Sequence, residues 1–363
     1  MRVFVVNVGS STLKLRLLDR EDDLVFSQDL QAEQGRFDPT AVRDAINSLE
    51  GGIDAVGHRV VHGGTQFTGP VLIDESVERA LRELTDLAPL HQPKSLAGID
   101  AARGLLPGVP AVACFDTAFH TTLPAAAATY AVPERWRKDL GVRRYGFHGL
   151  SHAYASRRAA ELVGRPVTEL RIVTCHLGAG ASLAAVQSGR SVDTTMGFTP
   201  LEGLPMATRS GSIDPGLTTW LIEHAGLTVS EVAEALEHRS GMLALAGTAD
   251  MAHIEATVER DQRSRLAHDV YVHRLRAGIA SMASAMDGLD VLVFTGGVGE
   301  NAASVRAAAA AGLRFLGVRI NENPNRSLVG DREITAHEGG ARTVVVTARE
   351  DLEIAGEVRL LLS

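Results

Sequence analysis

Val3-Phe4-Val5-Val6-Asn7-Val8-Gly9-Ser10-Ser11-Thr12-Leu13-Lys14 is an apolar run that breaks into a Gly/Ser turn. It then resumes with apolar residues at alternate positions, Leu13, Leu15 and Leu17. Period-2 alternation across a tight turn reads as two paired strands. The same strand-to-turn pattern returns at Ile172-Val173-Thr174-Cys175-His176-Leu177-Gly178-Ala179-Gly180-Ala181-Ser182, and again at Val291-Leu292-Val293-Phe294-Thr295-Gly296-Gly297-Val298-Gly299-Glu300-Asn301. None has the spacing of a Walker A loop, and the last lacks the x-x-G spacing of a dinucleotide fingerprint. Glycine allows positive φ and lets backbone N–H groups approach an anion closely. Any one of these turns could be an ordinary hairpin. Three, spread along the chain, point to a phosphate chain gripped from several sides, as a two-domain phosphotransferase would require.

The 363 residues exceed one ordinary core, so two domains are expected. With 45% hydrophobic and 22% charged residues, the composition is that of a globular enzyme. A net charge of −8 and the lack of a basic run argue against nucleic acid or an anionic membrane as partner. Asn7 interrupts the first apolar run too early for a signal peptide, and no stretch reaches membrane-spanning length. Cys114 and Cys175 each sit inside an apolar run, which suits buried free thiols and a cytoplasmic location.

Strands alternate with helical patterns, which gives an α/β class. Val77, Leu81, Leu84 and Leu87 recur at helical spacing behind Asp74 and Glu75, and Ala111–Phe115 reads as a short buried strand. Residues 121–133, interrupted by prolines, suit a domain boundary. Leu266 to Met286 reads as a long helix stopping at Asp287-Gly288, residues 302–312 as an Ala-rich helix, and Leu352 to Leu362 as a closing amphipathic helix.

Several charged residues stand where solvated surface residues rarely do. Arg59 lies in Gly57-His58-Arg59-Val60-Val61-His62-Gly63-Gly64, and Arg209 in Thr208-Arg209-Ser210-Gly211. Each could hold an anion or simply form a salt bridge. Asp116, at a strand end, suits a metal-facing carboxylate or a helix N-cap. His148 and His152 have i, i+4 spacing but no third zinc ligand nearby, so one of them as a donor to a phosphoryl group is the better reading. Lys14 could meet a phosphate or be a strand-edge lysine.

Taken together, these segments resemble the acetate kinase family, part of the superfamily that holds actin, the chaperone ATPases and the sugar kinases. The matching stretches run from Asn7 to Glu350 and include Phe115-Asp116-Thr117-Ala118-Phe119-His120, Tyr145-Gly146-Phe147-His148-Gly149 and Thr199-Pro200-Leu201-Glu202-Gly203. The resemblance implies two ribonuclease-H-like (actin-type ATPase) domains with a catalytic cleft between them. The N-terminal, carboxylate-side domain would be 1–117 plus 351–363, and the nucleotide-side domain, with the dimer interface, 118–350. The implied activity is Mg2+- (or Mn2+-) dependent, reversible transfer of the ATP γ-phosphoryl group to acetate, giving acetyl phosphate and ADP, in a homodimer.

Carried onto this chain, Asn7 and Glu350 would organise the metal and Arg59 would hold the carboxylate. Asp116, His148 and Arg209 would be catalytic, while Val61, Leu90, Phe147 and Pro200 would line the acyl pocket. Lys14, His176, Leu177, Gly178, Ala179, Gly180, Asp250, Met251, Ala252, Gly297, Val298, Gly299, Glu300 and Asn301 would face the nucleotide. The chain departs from the family's pattern at Ala179, Ser212, Ala252, the Ala348-Arg349 pair and Gln92. Ala179, Ala252 and Arg349 fall on the expected nucleotide side, which leaves a pyrophosphate-dependent kinase, a propionate or other short-chain acid kinase, and a non-catalytic nucleotide switch as alternatives.

Overall fold

The computed structural model describes residues 1–9, 12–31, 38–49, 51–87, 92–327 and 329–363. By packing, the chain divides into two units. The first comprises Met1–Thr121, Phe147–Tyr154 and Arg349–Ser363, and the second Thr122–Gly146 and Ala155–Ala348. Residues 118–121, the segment Phe147–Tyr154 and the pair Arg349–Glu350 therefore go with the first unit and not with the 118–350 domain expected from the sequence.

The first unit is built on β1 (Val3–Val8), β2 (Thr12–Leu18), β3 (Leu24–Gln31), β4 (Ala55–Val60), β5 (Val71–Leu72) and β6 (Ala111–Phe115). All six residues of β1 are buried, as its near-continuous apolar run requires of a strand covered on both faces. The sheet order is β3-β2-β1-β4-β6-β5, with β1, β4 and β6 parallel and the other neighbours antiparallel. Helices α1 (Pro39–Asn47), α2 (Glu75–Glu83) and α3 (Gln92–Leu105) cover one face. There Phe4, Val6, Leu13 and Leu15 meet Val42 and Ile46, while Val60 and Phe115 meet Leu81, Leu96 and Ile99. Asp74 caps α2, accepting the Val77 N–H at 2.8 Å.

The opposite face is covered by α15 (Glu350–Leu362), whose Ile354, Ala355 and Val358 pack on Val3, Val5 and Cys114. Gly57 makes this close approach possible: a Cβ there would lie 2.4 Å from Ile354 Cγ2. Burial raises the Cys114 thiol pKa well above its ordinary value.

The second unit carries α4 (Ala125–Ala128), α5 (Glu134–Asp139), most of α6 (Gly149–Val163), α7 (Pro215–His224), α8 (Val229–His238), α9 (Gly241–Ala246), α10 (Met251–Thr257), α11 (Gln262–Ser284), α12 (Gly296–Asn301), α13 (Ala303–Ala311) and α14 (Glu322–Arg326). Its strands are β7 (Arg171–Leu177), β8 (Ala181–Gln187), β9 (Arg190–Thr194), β10 (Val291–Thr295), β11 (Arg332–Glu333) and β12 (Arg342–Val345). They run β11-β12-β10-β7-β8-β9, with β7, β10 and β12 parallel. Read from β9, this is the order and direction of the first sheet, so the repeated strand-and-glycine pattern marks two halves of one topology.

The third glycine turn differs from its expectation. Residues 296–301 form the short helix α12, and the Ala-rich helix begins after it, at Ala303. Gly296, at φ +78°, makes the junction, and a Cβ there would stand 2.8 Å from the Leu177 carbonyl oxygen. Only glycine fits.

Candidate active site

In the first unit the polar residues gather at the carboxyl ends of the three parallel strands, where open α/β sheets bind ligands. Asn7 is the fifth residue of β1, Arg59 the fifth of β4, and Asp116 follows β6. Asp116 continues the ladder, its N–H donating to Val60 O at 3.0 Å. Its carboxylate takes Arg59 in a fork: Nε reaches Oδ1 at 3.0 Å and Oδ2 at 3.1 Å, and NH2 reaches Oδ2 at 2.6 Å. Asp116 is 1% exposed. Burial opposes the charge on Arg59, but the adjacent Asp116 carboxylate, and Glu350 beyond it, outweigh that and hold the guanidinium above its ordinary pKa. Burial also pushes the Asp116 carboxyl pKa up, an effect that the charge and hydrogen bonds of Arg59 counter.

The remaining arm of Arg59 is weakly committed, with NH1 3.4 Å from Asn7 Oδ1 and 3.5 Å from Val8 O. Asn7 Nδ2 donates to Glu350 Oε2 at 2.6 Å, a contact between residues 343 apart in sequence. Glu350 arrives as the first residue of α15, fixed by that helix's packing on the sheet. Lys14, exposed on β2, stands directly across the ladder from Asn7.

His148 is held in an unusual backbone conformation, φ +56°, and is 9% exposed. Its backbone N–H bonds the Asp116 carboxylate, while the next N–H, of Gly149, donates to Asp116 O at 2.8 Å. A Cβ on Gly149 would lie 2.2 Å from that oxygen. Such strain persists only where surrounding bonds fix it, and here the two backbone bonds to Asp116 do so. His152 is fully buried, edge-on to the equally buried His120 at 5.7 Å. Val61 is 5% and Phe147 1% exposed. Leu90 lies outside the described residues.

In the second unit, His176 and Leu177 end β7, and residues 178–180 close the hairpin, with Gly178 N–H donating to Gly180 O at 2.9 Å. Ala179 O accepts the Ala207 N–H at 3.2 Å. β10 runs beside β7 and leads into α12, which carries Gly297, Val298, Gly299, Glu300 and Asn301. Asp250 caps α10, accepting the Ala252 N–H at 2.9 Å; Met251 is buried and Ala252 exposed. Arg209 NH1 donates to Pro200 O at 2.7 Å.

Two supports of the second unit went unrecognised in the sequence reading. Glu202 accepts from Tyr130 Oη and, at 2.7 Å, from Arg144 NH2, while Arg144 NH1 holds Thr195 O and Met196 O and Tyr130 Oη accepts the Phe198 N–H at 3.0 Å. Arg306 is 1% exposed and bonds Gly299 O, Glu300 O and both Oδ1 and O of Asn325, at 2.7–2.9 Å. All four acceptors are neutral, and burial lowers its pKa. At the other end of α12, Glu300 Oε1 accepts from Gly296 N–H and Ala348 N–H, both at 3.0 Å. Only Glu202 stood inside a recognisable motif; Arg306 is hidden in an alanine run.

Among the described residues no three His, Cys, Asp or Glu side chains form a metal cluster. The donors in the first unit are nonetheless hard oxygens, from Asp116, Glu350 and the Asn7 amide. That set fits Mg2+, which takes one or two carboxylates and completes its shell with water and substrate phosphates. Among the described residues no helix is long and apolar enough to cross a membrane.

Fold and site together define a two-sheet α/β protein of the actin-type ATPase class, with charged side chains at the strand ends of one half and glycine turns at those of the other. More narrowly, the chain belongs to the acetokinase family, whose model matches residues 35–356. An acetate kinase of Caldanaerobacter subterraneus subsp. tengcongensis is 43% identical, with all of this chain and 99% of that protein covered. The crystal structure of Porphyromonas gingivalis acetate kinase superposes with a TM-score of 0.91 at 36% identity, covering 100% of both chains. A propionate kinase from Francisella tularensis gives 0.89 at 33%, covering 98% of each.

Proposed function

We propose that the protein catalyses reversible, Mg2+-dependent transfer of the ATP γ-phosphoryl group to acetate, giving acetyl phosphate and ADP. The observation that carries this reading is the Arg59–Asp116 fork beside Asn7 and Glu350. It fixes one face of a guanidinium and leaves NH1 for an anionic acceptor. An acetate carboxylate is ionised at neutral pH, so its attack on phosphorus needs no general base. One carboxylate oxygen forms the new P–O bond as the bond from Pγ to the β-phosphate bridging oxygen breaks, and ADP leaves with that electron pair.

The obstacle is repulsion between carboxylate and triphosphate, which Arg59 and Arg209 offset. Arg59 orients the acceptor and Asp116 orients Arg59. Asn7, Asp116 and Glu350 would hold Mg2+, which when bound neutralises phosphate oxygens. His148 and Arg209 stabilise charge on the transferring group. Val61 and Phe147 of the first unit would contact the acetate methyl, and Pro200 is the second unit's candidate for that role. Lys14, His176, the 177–180 turn, residues 250–252 and residues 297–301 meet the nucleotide.

The test is acyl-phosphate formation from acetate, trapped with hydroxylamine, with Mg2+ and either ATP or pyrophosphate. Turnover with ATP is expected. Product with pyrophosphate alone would move the donor assignment, and no product with either would overturn the reading.

We further propose a cytoplasmic homodimer. ATP is supplied in the cytoplasm, and both cysteines are buried free thiols. The exposed Leu217 and Trp220 of α7, 43% and 54% accessible, suit burial against a second copy. Light scattering on Trp220→Ser should show a shift toward monomer.

A further inference from the structure

We propose that Gln92 sets the size of the acyl pocket by fixing where Val61 and Phe147 stand, without touching the substrate; this rests on the reading that those two residues line the pocket. β4 ends at Val60, and the chain continues as Val61-His62-Gly63-Gly64. The Gln92 amide adds one further rung to the ladder there. Its Oε1 accepts the His62 N–H at 3.3 Å, and its Nε2 donates to His62 O at 3.3 Å and to Leu81 O at 3.2 Å. Gln92 is fully buried at the start of α3, so its side chain ties this loop to both α2 and α3.

His62 passes the restraint on. Gly64 N–H donates to its Nδ1 at 2.8 Å, and the ring stands edge-on to Phe147, 5.5 Å between centroids. Farther along, the loop cannot adjust. Gly63 donates to Thr117 Oγ1 at 3.0 Å and accepts from Phe67 N–H at 2.9 Å, and a Cβ on it would lie 2.5 Å from Phe67 O. The reach of the residue-92 side chain is thus the adjustable length in the assembly.

Val60 packs into the α3-side core and Arg59 lies on the opposite side of the pleat. A side chain one methylene shorter keeps its rung only by drawing His62 toward α3, which pulls Val61 back from the Arg59 side and widens the pocket. Gln92→Asn should therefore raise the propionate-to-acetate ratio of kcat/KM about fivefold, acting through KM for the acid. Gln92→Met, of equal length but without the amide, should raise KM for acetate about tenfold with kcat little changed.

The experiment measures kcat and KM for acetate, propionate and ATP in the native protein, Gln92→Asn, Gln92→Met, Val61→Ala and the Val61→Ala/Gln92→Asn double variant. Support is a changed acid ratio in Gln92→Asn, KM for ATP within twofold, and no further change when Gln92→Asn is added to Val61→Ala. An unchanged ratio in Gln92→Asn beside a changed one in Val61→Ala overturns the inference alone. An unchanged ratio in Val61→Ala overturns it together with the pocket reading. KM for acid and ATP rising in parallel in both Gln92 variants would reduce Gln92 to a general structural residue. Should Gln92→Met not fold, the Gln92→Asn arm decides by itself.

Discussion

The two sheets share strand order and direction, yet their strand ends are furnished differently. In the first unit the ends of β1, β4 and β6 carry polar side chains, the neutral Asn7 amide and the charged Arg59 and Asp116, locked into pairs. In the second unit the ends of β7 and β10 carry backbone, the 178–180 turn and the start of α12, with the charge set behind it on Arg306. Under the proposed function one topology would thus meet an anion in two ways, with a guanidinium and hard side-chain oxygens or with backbone at a glycine turn. A small carboxylate needs the first kind of partner, and a polyphosphate is served by the second.

That contrast can be broken most sharply at Asp116. Asp116→Asn removes the counter-charge of a buried guanidinium, so the first unit should lose about 3–5 kcal/mol of stability. The rate and its Mg2+ response should fall together, kcat by roughly a thousandfold or more, given the several charges the residue organises. A kinetic titration with Mg2+ beside urea denaturation checks both, and an unaltered metal response would show that Asp116 acts only on Arg59. In the second unit, Arg306→Met strips partners from Gly299 O, Glu300 O and Asn325, at about 1–3 kcal/mol for each acceptor left buried. Because these acceptors hold α12, KM for ATP should rise about tenfold while KM for acetate stays within twofold. Equal rises in both would erase the division of labour.

A third effect belongs to the first sheet alone. His58 is 1% exposed with neither ring nitrogen hydrogen-bonded, and burial pushes its pKa down to about 3. The folded state therefore favours the neutral ring. Its contribution is intact above the ordinary value near 6.5 and is lost as pH falls toward 3, about 2 kcal/mol by pH 5. Denaturation at pH 7 and pH 5 should show this loss, and His58→Leu should remove most of it. The smallest change is expected at Asp250. Asn caps nearly as well as Asp, so Asp250→Asn should leave stability within about 0.5 kcal/mol, whereas Asp250→Ala should cost about 1 kcal/mol. A KM for ATP that moves more than twofold in Asp250→Asn would mean that its charge, and not only its cap, reaches the nucleotide.

How much of this was legible follows from the kind of signal each element leaves. β1, β6 and β10 are buried apolar runs, and β6 runs Ala111–Phe115 as its sequence suggests. The edge strand β3 went unread because it is mostly exposed and its alternation is weak. α12 read as a turn because four of its six residues are Gly or Asn, poor helix formers that the α12 packing overrides. The site residues Arg59 and Asp116 stood out as charges among apolar neighbours. Their bidentate pairing, 57 residues apart, did not, nor did Tyr130 with Glu202 or Gln92 with His62, because no local pattern encodes a partner supplied by another element.

The Asn7–Glu350 contact also bears on the order of events during synthesis. The two residues are 343 positions apart, so at about 5–20 residues per second Glu350 leaves the ribosome roughly 20–70 s after Asn7. Until then the first sheet lacks both its α15 cover, with Ile354 and Val358, and the carboxylate beside Asn7. The sheet of the first unit is therefore completed only after the second unit's strands have been made, and its α15-facing side stays uncovered through that interval.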